Sequence, residues 1–352
     1  MRGALLALCV AASVASLQAQ KKSGKSASAG KAPAAQTAWP LPPEPTRIRY
    51  IRSYQGPDDF KGGKKPSRLA AMLLGPQDQG SGSDKLVKPY GVATSSSGVV
   101  YVADSASRRV YVFDPAAKAV SYIGEEGNGK LAKPIGVTVD ANDIVYVADA
   151  TLKRVFGYSA DGRLQTAMGH EGELDNPSGL AIDTSRHVLY VADASKHQVL
   201  AYDTTSGAIA RTIGKRGEAD GEFNFPTNLA VDREGRLYVA DTLNFRVQIF
   251  DAEGRFVRTF GQIGDTFGAL NRPKGISVDS QGHIYVVDAS FNNFQIFDDQ
   301  GQLLLFVGSG GKNPGEFFLP AGMFIDAQDR IYVADQGNSR IQVFQYLNGA
   351  TR

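Results

Sequence analysis

The sequence contains four histidines, and two of them lie near carboxylates in residues 170–197. His170 is followed by Glu171, Glu173 and Asp175, and His197 comes later in the same region. Because two imidazoles and one carboxylate can bind Zn²⁺, His170 and His197 are weak candidates for a metal site. The simpler interpretation is that they are unpaired histidines in open loops. No cofactor is therefore predicted, and zinc or calcium remains an alternative.

The most regular chemical pattern is an aspartate that occurs six times, with arginine five residues later in four copies. Arginine can hold a carboxylate through charge-assisted hydrogen bonds. A catalytic residue is not needed six times, so the pattern predicts a structural Asp–Arg brace. The residues of the predicted brace are Asp104 and Arg109, Asp149 and Arg154, Asp193, Asp241 and Arg246, Asp288, and Asp335 and Arg340.

These aspartates belong to a repeat that must position them. A proline lies fifteen or sixteen residues before each aspartate, a tyrosine lies three residues before it, and an aromatic residue lies nine residues after it. The six prolines are Pro89, Pro134, Pro177, Pro226, Pro273 and Pro320. A register held through six copies indicates a repeat architecture.

Each repeat is predicted to form four short strands. In the fourth repeat these are residues 229–231, 237–240, 246–250 and 256–260, separated by turns rich in Gly and Asp. Runs such as residues 99–103 are apolar at every position, which indicates sheets packed on both faces. Four-stranded sheets packed face to face around an axis form a β-propeller.

The sixth repeat ends after its third strand, residues 340–344, which would leave the ring open. Residues 51–54 match the fourth strand at residues 257–260. We expect this N-terminal strand to complete the sixth blade, with Ile51 and Tyr54 beside its outer strand. The predicted fold is all-β, a six-bladed β-propeller whose ring is closed by an N-terminal strand.

Three motifs carry a resemblance to a known family: Pro-x-Gly at residues 273–275, Tyr-Val-Ala-Asp at 238–241, and Asn-x-Arg-Val-Gln-Ile-Phe-Asp at 244–251. Together they resemble the NHL repeat over residues 47–346, and the layout is similar to exported bacterial six-bladed NHL propellers. The resemblance implies the fold but leaves function open, because the family includes scaffolds, RNA binders and a lyase. The peptidyl-amidoglycolate lyase implies zinc held by histidines. Lactonase propellers imply calcium ligands in the channel, where the inner strands offer Asn228.

Function is expected where the repeat departs from itself, on the face formed by the loops into each first strand and the turns between the second and third strands. The residue after each proline should lie near the channel mouth, where Lys274 is a single cation suited to an anion. A mixed polar and aromatic face suits a peptide or small polar ligand, and a solvated loop surface is the simpler alternative. The predicted binding residues are Tyr90, Ser178, His197, Thr227, Asn228, Phe245, Lys274, Phe291 and Asn292.

The N-terminal region is predicted to be a targeting segment. Arg2 and the apolar run that follows it predict a signal peptide over residues 1–19, and hence an exported protein that is periplasmic or secreted. Residues 20–46, rich in Lys, Ser, Ala and Pro, predict a flexible linker, and residues 47–349 the propeller. Trp39, in the linker, either packs on the domain or contacts a partner.

Charge is distributed unevenly between these parts. The 352 residues have a net charge of +2, but residues 1–46 contain five basic residues and one acidic residue, so the remainder has a net charge of −2. A nearly neutral domain gives little support to nucleic-acid binding. A local group of Arg108, Arg109, Lys153 and Arg154 is the contrary evidence, although the brace would occupy two of its charges.

The single cysteine, Cys9, lies in the predicted signal peptide, so a disulfide is excluded. We therefore predict a monomeric, exported propeller that binds a protein, a peptide or a small polar ligand, with no nucleic-acid partner and no transmembrane segment. The alternative is a metal-dependent lyase or hydrolase of the peptidyl-amidoglycolate lyase or lactonase propeller type.

Overall fold

The computed structural model of the chain describes residues 37–60 and 84–347. The predicted signal peptide, residues 1–19, and residues 20–36 of the predicted linker lie outside the described residues. Within the described ranges, no helix has the length and apolar character needed to cross a membrane.

The described residues form twenty-seven strands and a few short 3-10 helices. The N-terminal arm contains β1 (Ala38–Trp39) and β2 (Ile48–Tyr54). Blade 1 contains β3 (Pro89–Thr94), β4 (Val100–Asp104), β5 (Arg109–Asp114) and β6 (Ala119–Ile123). Blade 2 contains β7 (Pro134–Val139), β8 (Val145–Asp149), β9 (Arg154–Tyr158) and β10 (Leu164–Met168). Blade 3 contains β11 (Pro177–Asp183), β12 (Val188–Asp193), β13 (Gln198–Asp203) and β14 (Ile209–Ile213).

The second half of the chain repeats this arrangement. Blade 4 contains β15 (Pro226–Val231), β16 (Leu237–Asp241), β17 (Arg246–Phe250) and β18 (Phe256–Phe260). Blade 5 contains β19 (Pro273–Val278), β20 (Ile284–Asp288), β21 (Asn293–Phe297) and β22 (Leu303–Val307). A parallel pair, β23 (Ser309–Gly310) and β24 (Glu316–Phe317), precedes blade 6, which contains β25 (Pro320–Ile325), β26 (Arg330–Asp335) and β27 (Arg340–Tyr346). The 3-10 helices are Pro57–Phe60, Gly127–Gly129, Thr242–Asn244 and Gln336–Asn338.

The six blades close into a ring. The innermost strands β3, β7, β11, β15, β19 and β25 contact one another in that order, and β25 contacts β3. The arm strand β2 pairs antiparallel with β27, with Tyr50 opposite Phe344 and Tyr54 opposite Ile341. The register shifts between Tyr50 and Arg52, so Ile51 lies in a bulge of this pairing. The predicted six-bladed fold and its closure by an N-terminal strand are confirmed.

The arm extends the sixth blade by one further strand. Strand β1 pairs antiparallel with β2, which places Trp39 opposite Ile48. Trp39 is buried, and its ring meets the edge of the Phe344 ring at 5.8 Å between centroids. Of the two alternatives for Trp39, the structure therefore shows packing on the domain.

The core consists of apolar layers between neighbouring blades. Every residue of β4, β8, β16, β20 and the repeated Tyr-Val-Ala-Asp of β12 is buried, because the strand next to the innermost one is covered on both sides. Near the axis the blades approach so closely that a Cβ on Gly91 would lie 2.5 Å from the carbonyl oxygen of Ile135 in the next blade. Glycine is required there for this close approach; in blade 4 the corresponding residue is Asn228.

The hydroxyl of the repeated tyrosine forms hydrogen bonds at the face opposite the predicted site. The Tyr238 hydroxyl donates to Asp232 at 2.8 Å, and the Tyr285 hydroxyl donates to Asp279 at 3.0 Å, in each case in the turn between the first two strands. These bonds tie the second strand to a tight turn, so the tyrosine has a structural role.

Candidate functional site

The loop face is formed by two elements from each blade. The leading loop is the segment before the blade's proline, and the tip turn connects its second and third strands. The fourth residue after each repeated aspartate, here named the tip residue, has a positive φ between 52° and 57° in all six blades. These tip residues are Arg108, Lys153, His197, Phe245, Asn292 and Ser339.

The repeated aspartate joins the leading loop to the tip turn, and its side chain is fully buried in all six blades. In blade 1, Asp104 accepts hydrogen bonds from the backbone N–H groups of Val87 at 2.6 Å and Lys88 at 3.0 Å, and from those of Ala106 and Ser107 in the tip turn. The aspartates of blades 2, 3 and 5 also accept from both residues that precede the proline. A carboxylate used in this way fixes backbone, and its role is structural.

In blades 4 and 6 the aspartate is held by side chains as well. Asp241 accepts from Asn244 Nδ2 at 2.8 Å, Arg246 Nε at 2.9 Å and Gln248 Nε2 at 3.2 Å. In blade 6, Asp335 accepts from the corresponding three residues, with Arg340 Nε at 2.7 Å. The predicted Asp–Arg pair is present in these two blades, both of which contain the full sequence Asp-x₂-Asn-x-Arg-x-Gln.

Burial raises the pKa of Asp335 above its usual value, although the backbone N–H of Phe318 and the side chains of Asn338 and Arg340 favour its charged form. The desolvation of this carboxylate explains why three side chains are gathered around it, since a buried charge must be hydrogen-bonded to be tolerated.

The prediction of an Asp–Arg pair is wrong for blades 1 and 2. The Arg109 guanidinium donates to Glu125 at 2.7 Å and to the Tyr111 hydroxyl at 3.1 Å, away from Asp104. Arg154 is exposed. The physical reason is that four backbone N–H groups already occupy each of these two carboxylates, so that the arginine has no free acceptor there.

The two kinds of blade differ in the backbone conformation of the residue before the proline. In blades 4 and 6 the aspartate accepts only the first of the two leading-loop N–H groups, from Asn224 and from Phe318. The next residues, Phe225 and Leu319, have positive φ values of 60° and 49°. Such values are rare for bulky residues, and a residue before proline is ordinarily extended.

The N–H groups of these two residues bond to the preceding blade instead. Phe225 N–H donates to His197 Nδ1 at 3.2 Å, and Leu319 N–H donates to Asn292 Oδ1 at 2.9 Å. The side chains of Phe225 and Leu319 are 37% and 42% exposed. His197 and Asn292, predicted as ligand-binding residues, therefore connect blades 3 to 4 and 5 to 6.

Two more predicted site residues are inaccessible. Ser178 is buried, and its hydroxyl donates to the Ala192 carbonyl at 3.2 Å. Thr227 is buried, with its hydroxyl 2.6 Å from that of Thr242, which donates to the Pro273 carbonyl of the next blade. The expectation that both side chains face the channel mouth is corrected, because each hydroxyl is buried and bonds within its own blade, Ser178 to a backbone carbonyl and Thr227 to the Thr242 hydroxyl.

Lys274 and Tyr90, by contrast, meet across the channel mouth. They belong to blades 5 and 1, and the Lys274 ammonium lies 3.4 Å from the Tyr90 hydroxyl and 5.5 Å from the centre of its ring. Both side chains are half-buried. The ring geometry therefore brings together one cation and one phenol, a combination able to bind an anionic oxygen.

Asn228 lines a cavity of about 220 Å³ on the axis. Its Nδ2 is buried and has no hydrogen-bond partner among residues 37–60 and 84–347. The other lining residues include Val92, Leu180 and Met323, but polar atoms form more of the cavity surface than apolar atoms do. Phe245 and Phe291 are half-buried in the tip turns of blades 4 and 5.

The weak metal candidates do not converge. In the part of the chain that the structure describes, no three His, Cys, Asp or Glu side chains form a group able to hold a metal ion. His197 Nδ1 accepts the Phe225 N–H, and Glu173 accepts the His170 backbone N–H at 2.9 Å. Asp175 pairs with Lys153 at 2.5 Å, and this hydrogen bond lowers the pKa of the carboxyl and raises that of the lysine.

Comparison with known proteins supports the repeat assignment. Residues 269–349 match a family described as a 6-bladed beta-propeller, and residues 223–250 match the NHL repeat. A 91-residue stretch is 35% identical to NHL repeat-containing protein 2 of Gallus gallus, and covers 23% of this chain and 12% of that protein. An 82-residue stretch is 37% identical to a probable peptidyl-alpha-hydroxyglycine alpha-amidating lyase of Caenorhabditis elegans, and covers 22% of this chain and 23% of that protein. The chain thus spans less than a quarter of the length of these relatives.

Solved structures share the fold at low sequence identity. A streptogramin B lyase structure superimposes with a TM-score of 0.56 at 13% identity, covering 74% of this chain and 94% of that one. A Bacteroides thetaiotaomicron protein of unknown function superimposes with a TM-score of 0.59 at 18% identity, covering 77% and 72%. These similarities concern the arrangement of blades alone.

Sequence reasoning missed Phe225 and Leu319. The available signal was a large apolar residue directly before the proline in the two blades whose aspartate is followed by Asn-x-Arg-x-Gln. Neither the apolar residue before the proline nor the Asn-x-Arg-x-Gln sequence is informative alone, because only the hydrogen bonds of the structure connect the two.

Proposed function

Because the chain is a six-bladed β-propeller of NHL repeats, we propose that it is a binding module whose loop face takes a protein or peptide partner. The observation that carries this proposal is the exposure of Phe225 and Leu319 at positive φ. Backbone strain of this kind is retained where it serves a site. Exposed apolar side chains that form a continuous patch rimmed by polar residues are typical of protein contacts.

Each of these residues has an apolar neighbour on its own blade. On blade 4, exposed Leu243 donates its N–H to the carbonyl of Asn224, the residue before Phe225. On blade 6, exposed Phe318 precedes Leu319 and packs against Gly337 of the tip turn. We name Phe225 with Leu243 and Phe318 with Leu319 the two apolar spots. Blade 5 lies between them, so a partner that contacts both spots must cross the loop face.

The channel mouth adds a polar contact to this surface. Lys274, on blade 5, is the side chain most suited to a carboxylate of a partner or of a small ligand. Its proximity to Tyr90 supports a role for the mouth in the same binding event.

The test compares capture by three forms of the propeller. Phe225→Ser with Leu319→Ser removes both spots, and Leu164→Ser with Val257→Ser removes two exposed apolar residues from outer strands as the matched control. We expect a set of proteins, identified by quantitative mass spectrometry, that the parent and the control capture and the loop-face variant loses. Equal capture by all three forms would refute the proposal.

We also propose that the protein is exported, on the basis of the charge and apolar pattern of residues 1–19. Cell fractionation and N-terminal sequencing of the mature protein test this. A product that begins at Met1 in the cytoplasmic fraction would contradict it.

The alternative is a metal-dependent lyase or hydrolase, which the similarity to an amidating lyase keeps open. Elemental analysis of the purified protein discriminates between the two functions. Zinc or calcium bound at one equivalent per chain would favour the enzyme.

A further inference from the structure

Four of the exposed cations on the loop face of blades 1 and 2 lie before the proline, at the tip turn or at the brace position. They are Lys88 and Lys133, each directly before a proline, Arg108 at a tip turn, and Arg154 at the start of β9. None of the four forms an ion pair within residues 37–60 and 84–347. We name them the basic crescent. Arg154 belongs to it because the Asp–Arg brace is absent from this blade.

Two members of the basic crescent occupy corresponding positions on neighbouring blades. Arg108 is the tip residue of blade 1 and Lys133 precedes the proline of blade 2. These are the same positions that His197 and Phe225 occupy between blades 3 and 4, and Asn292 and Leu319 between blades 5 and 6, where the residues contact each other. The seam between blades 1 and 2 therefore has a cation at each of these two positions, with the Lys133 N–H bonded to Asp149.

Two neighbouring cations on these blades, Lys153 and Arg109, form ion pairs that the four crescent cations lack within the described residues. Lys153 pairs with Asp175 at 2.5 Å, and Arg109 pairs with Glu125 at 2.7 Å. Like charges placed together without counter-charges repel each other, and the repulsion is relieved by an anionic partner. The remaining charges of the loop face on blades 4 to 6 include carboxylates such as Glu222, which lies 3.3 Å from Lys215.

We propose that the partner of the loop face is a protein segment that combines acidic residues with large apolar ones. The acidic residues contact the basic crescent, and the apolar residues contact the two apolar spots. This inference rests on the proposed function of the loop face. It names the chemistry of the partner, and accounts for the cations and the apolar residues with one ligand.

The composition of the face favours an acidic protein segment over a nucleic acid. A nucleic acid needs cations spread along the path of its phosphates, whereas the four crescent cations lie on blades 1 and 2, and Arg272, at the same position before the proline, lies apart from them on blade 5. The residues on blades 4 and 6 are aliphatic or aromatic. In addition, residues 47–352 have more acidic than basic side chains, which disfavours a long polyanion.

The experiment selects a displayed library of random 12-residue peptides on the full chain. The crescent variant carries Lys88→Gln, Arg108→Gln and Lys133→Gln. Its matched control carries Lys118→Gln, Arg163→Gln and Arg233→Gln, three exposed cations in turns at the opposite face. We expect peptides enriched in Asp and Glu together with Leu or Phe. For a synthetic peptide of that sequence, we expect at least tenfold weaker binding to the crescent variant and unchanged binding to the control.

Three outcomes overturn the inference, and they are distinguishable. Enriched peptides that lack acidic residues but need Phe225 and Leu319 would refute it while leaving the proposed function intact. Peptides that bind all variants equally would refute both. Binding of a twenty-nucleotide oligo-dT more tightly than the peptides, and lost in the crescent variant, would show that the crescent serves nucleic acid instead.

Discussion

Blades 4 and 6 differ from blades 1 and 2 at the loop face, although the backbone frame is shared. In all four blades the repeated aspartate is buried and the tip residue has a positive φ. In blades 1 and 2 the carboxylate is filled by backbone N–H groups. In blades 4 and 6 it is filled largely by Asn, Arg and Gln side chains.

This difference determines what each pair of blades offers to a partner. Where side chains fill the carboxylate, the residue before the proline turns away from it and displays Phe225 or Leu319. Where the backbone fills it, the arginine of the repeat is released to the surface, as at Arg154, and the residue before the proline is a lysine. One structural repeat therefore supports two chemistries at the residue before the proline, apolar in blades 4 and 6 and cationic in blades 1 and 2.

The largest expected difference in stability between the two kinds of blade follows from substitution of the arginine of the brace. Arg246 is largely buried against Asp241 and also donates to two backbone carbonyls, those of Ala219 and Glu222. We expect Arg246→Met to lower the free energy of unfolding by about 3 kcal/mol, because it leaves a buried carboxylate without its counter-charge.

The matched change Arg154→Met should cost less than about 0.5 kcal/mol, as expected for an exposed residue. Chemical denaturation of both variants measures the two values. Equal losses would show that the blades share one brace and would remove the basis of the comparison.

A smaller effect is expected at the seams between blades. Asn292→Ala removes the acceptor of the Leu319 N–H. We expect it to lower the free energy of unfolding by about 1 kcal/mol, the usual contribution of one hydrogen bond. Arg108→Ala, at the same position of blade 1, should leave stability within error, because its side chain is exposed and has no such bond within residues 37–60 and 84–347. A loss at Arg108 as large as that at Asn292 would indicate a contact to the next blade in the seam that we regard as open.

The fold was predictable because its determinants recur. Proline, tyrosine, aspartate and an aromatic residue keep one register through six copies, and each has the same structural task in every blade. Ring closure followed from one local match, residues 51–54 with a fourth strand, since an open blade needs its missing strand. Local sequence is sufficient to predict the strand pairing of the blades, because the pattern of residues within each repeat specifies that pairing.

The site was less predictable because its residues act across blades. Whether His197 is free depends on Phe225, 28 positions later, and the conformation of Phe225 depends on the side chains around Asp241. The burial of Ser178 and Thr227 likewise depends on bonds between a strand and its neighbours. The convergence of Lys274 and Tyr90 was accessible from the sequence, because it needs only the ring.

The strained backbone at Phe225 predicts a substitution that raises the free energy of unfolding, whereas the substitutions above lower it. Phe225 has a φ of 60°, which costs a residue with a side chain about 1–2 kcal/mol and costs glycine nothing. After the larger entropy loss of glycine, Phe225→Gly should raise the free energy of unfolding by about 0.5 kcal/mol. Asn176→Gly is the control, since Asn176 precedes the proline of blade 3 without a positive φ, and it should lower stability. If Phe225→Gly also destabilises the domain, the residue is retained for packing and the strain argument fails.

The smallest expected effect tests whether the seam between blades 1 and 2 is electrostatically unsatisfied. If Arg108 and Lys133 form one surface, Lys133→Glu replaces a repulsion with an attraction between two exposed groups. Exposed pairs contribute little, so we expect the melting temperature to rise by only about 1 °C at low salt. In 1 M salt the rise should vanish, because exposed charges are then screened. The same substitution in an Arg108→Gln background supplies the control, since it removes the neighbour that gives Lys133→Glu its effect. A rise that persists in that background would mean that Lys133 is repelled by some other cation, and Arg108 and Lys133 would not form one anion-binding surface.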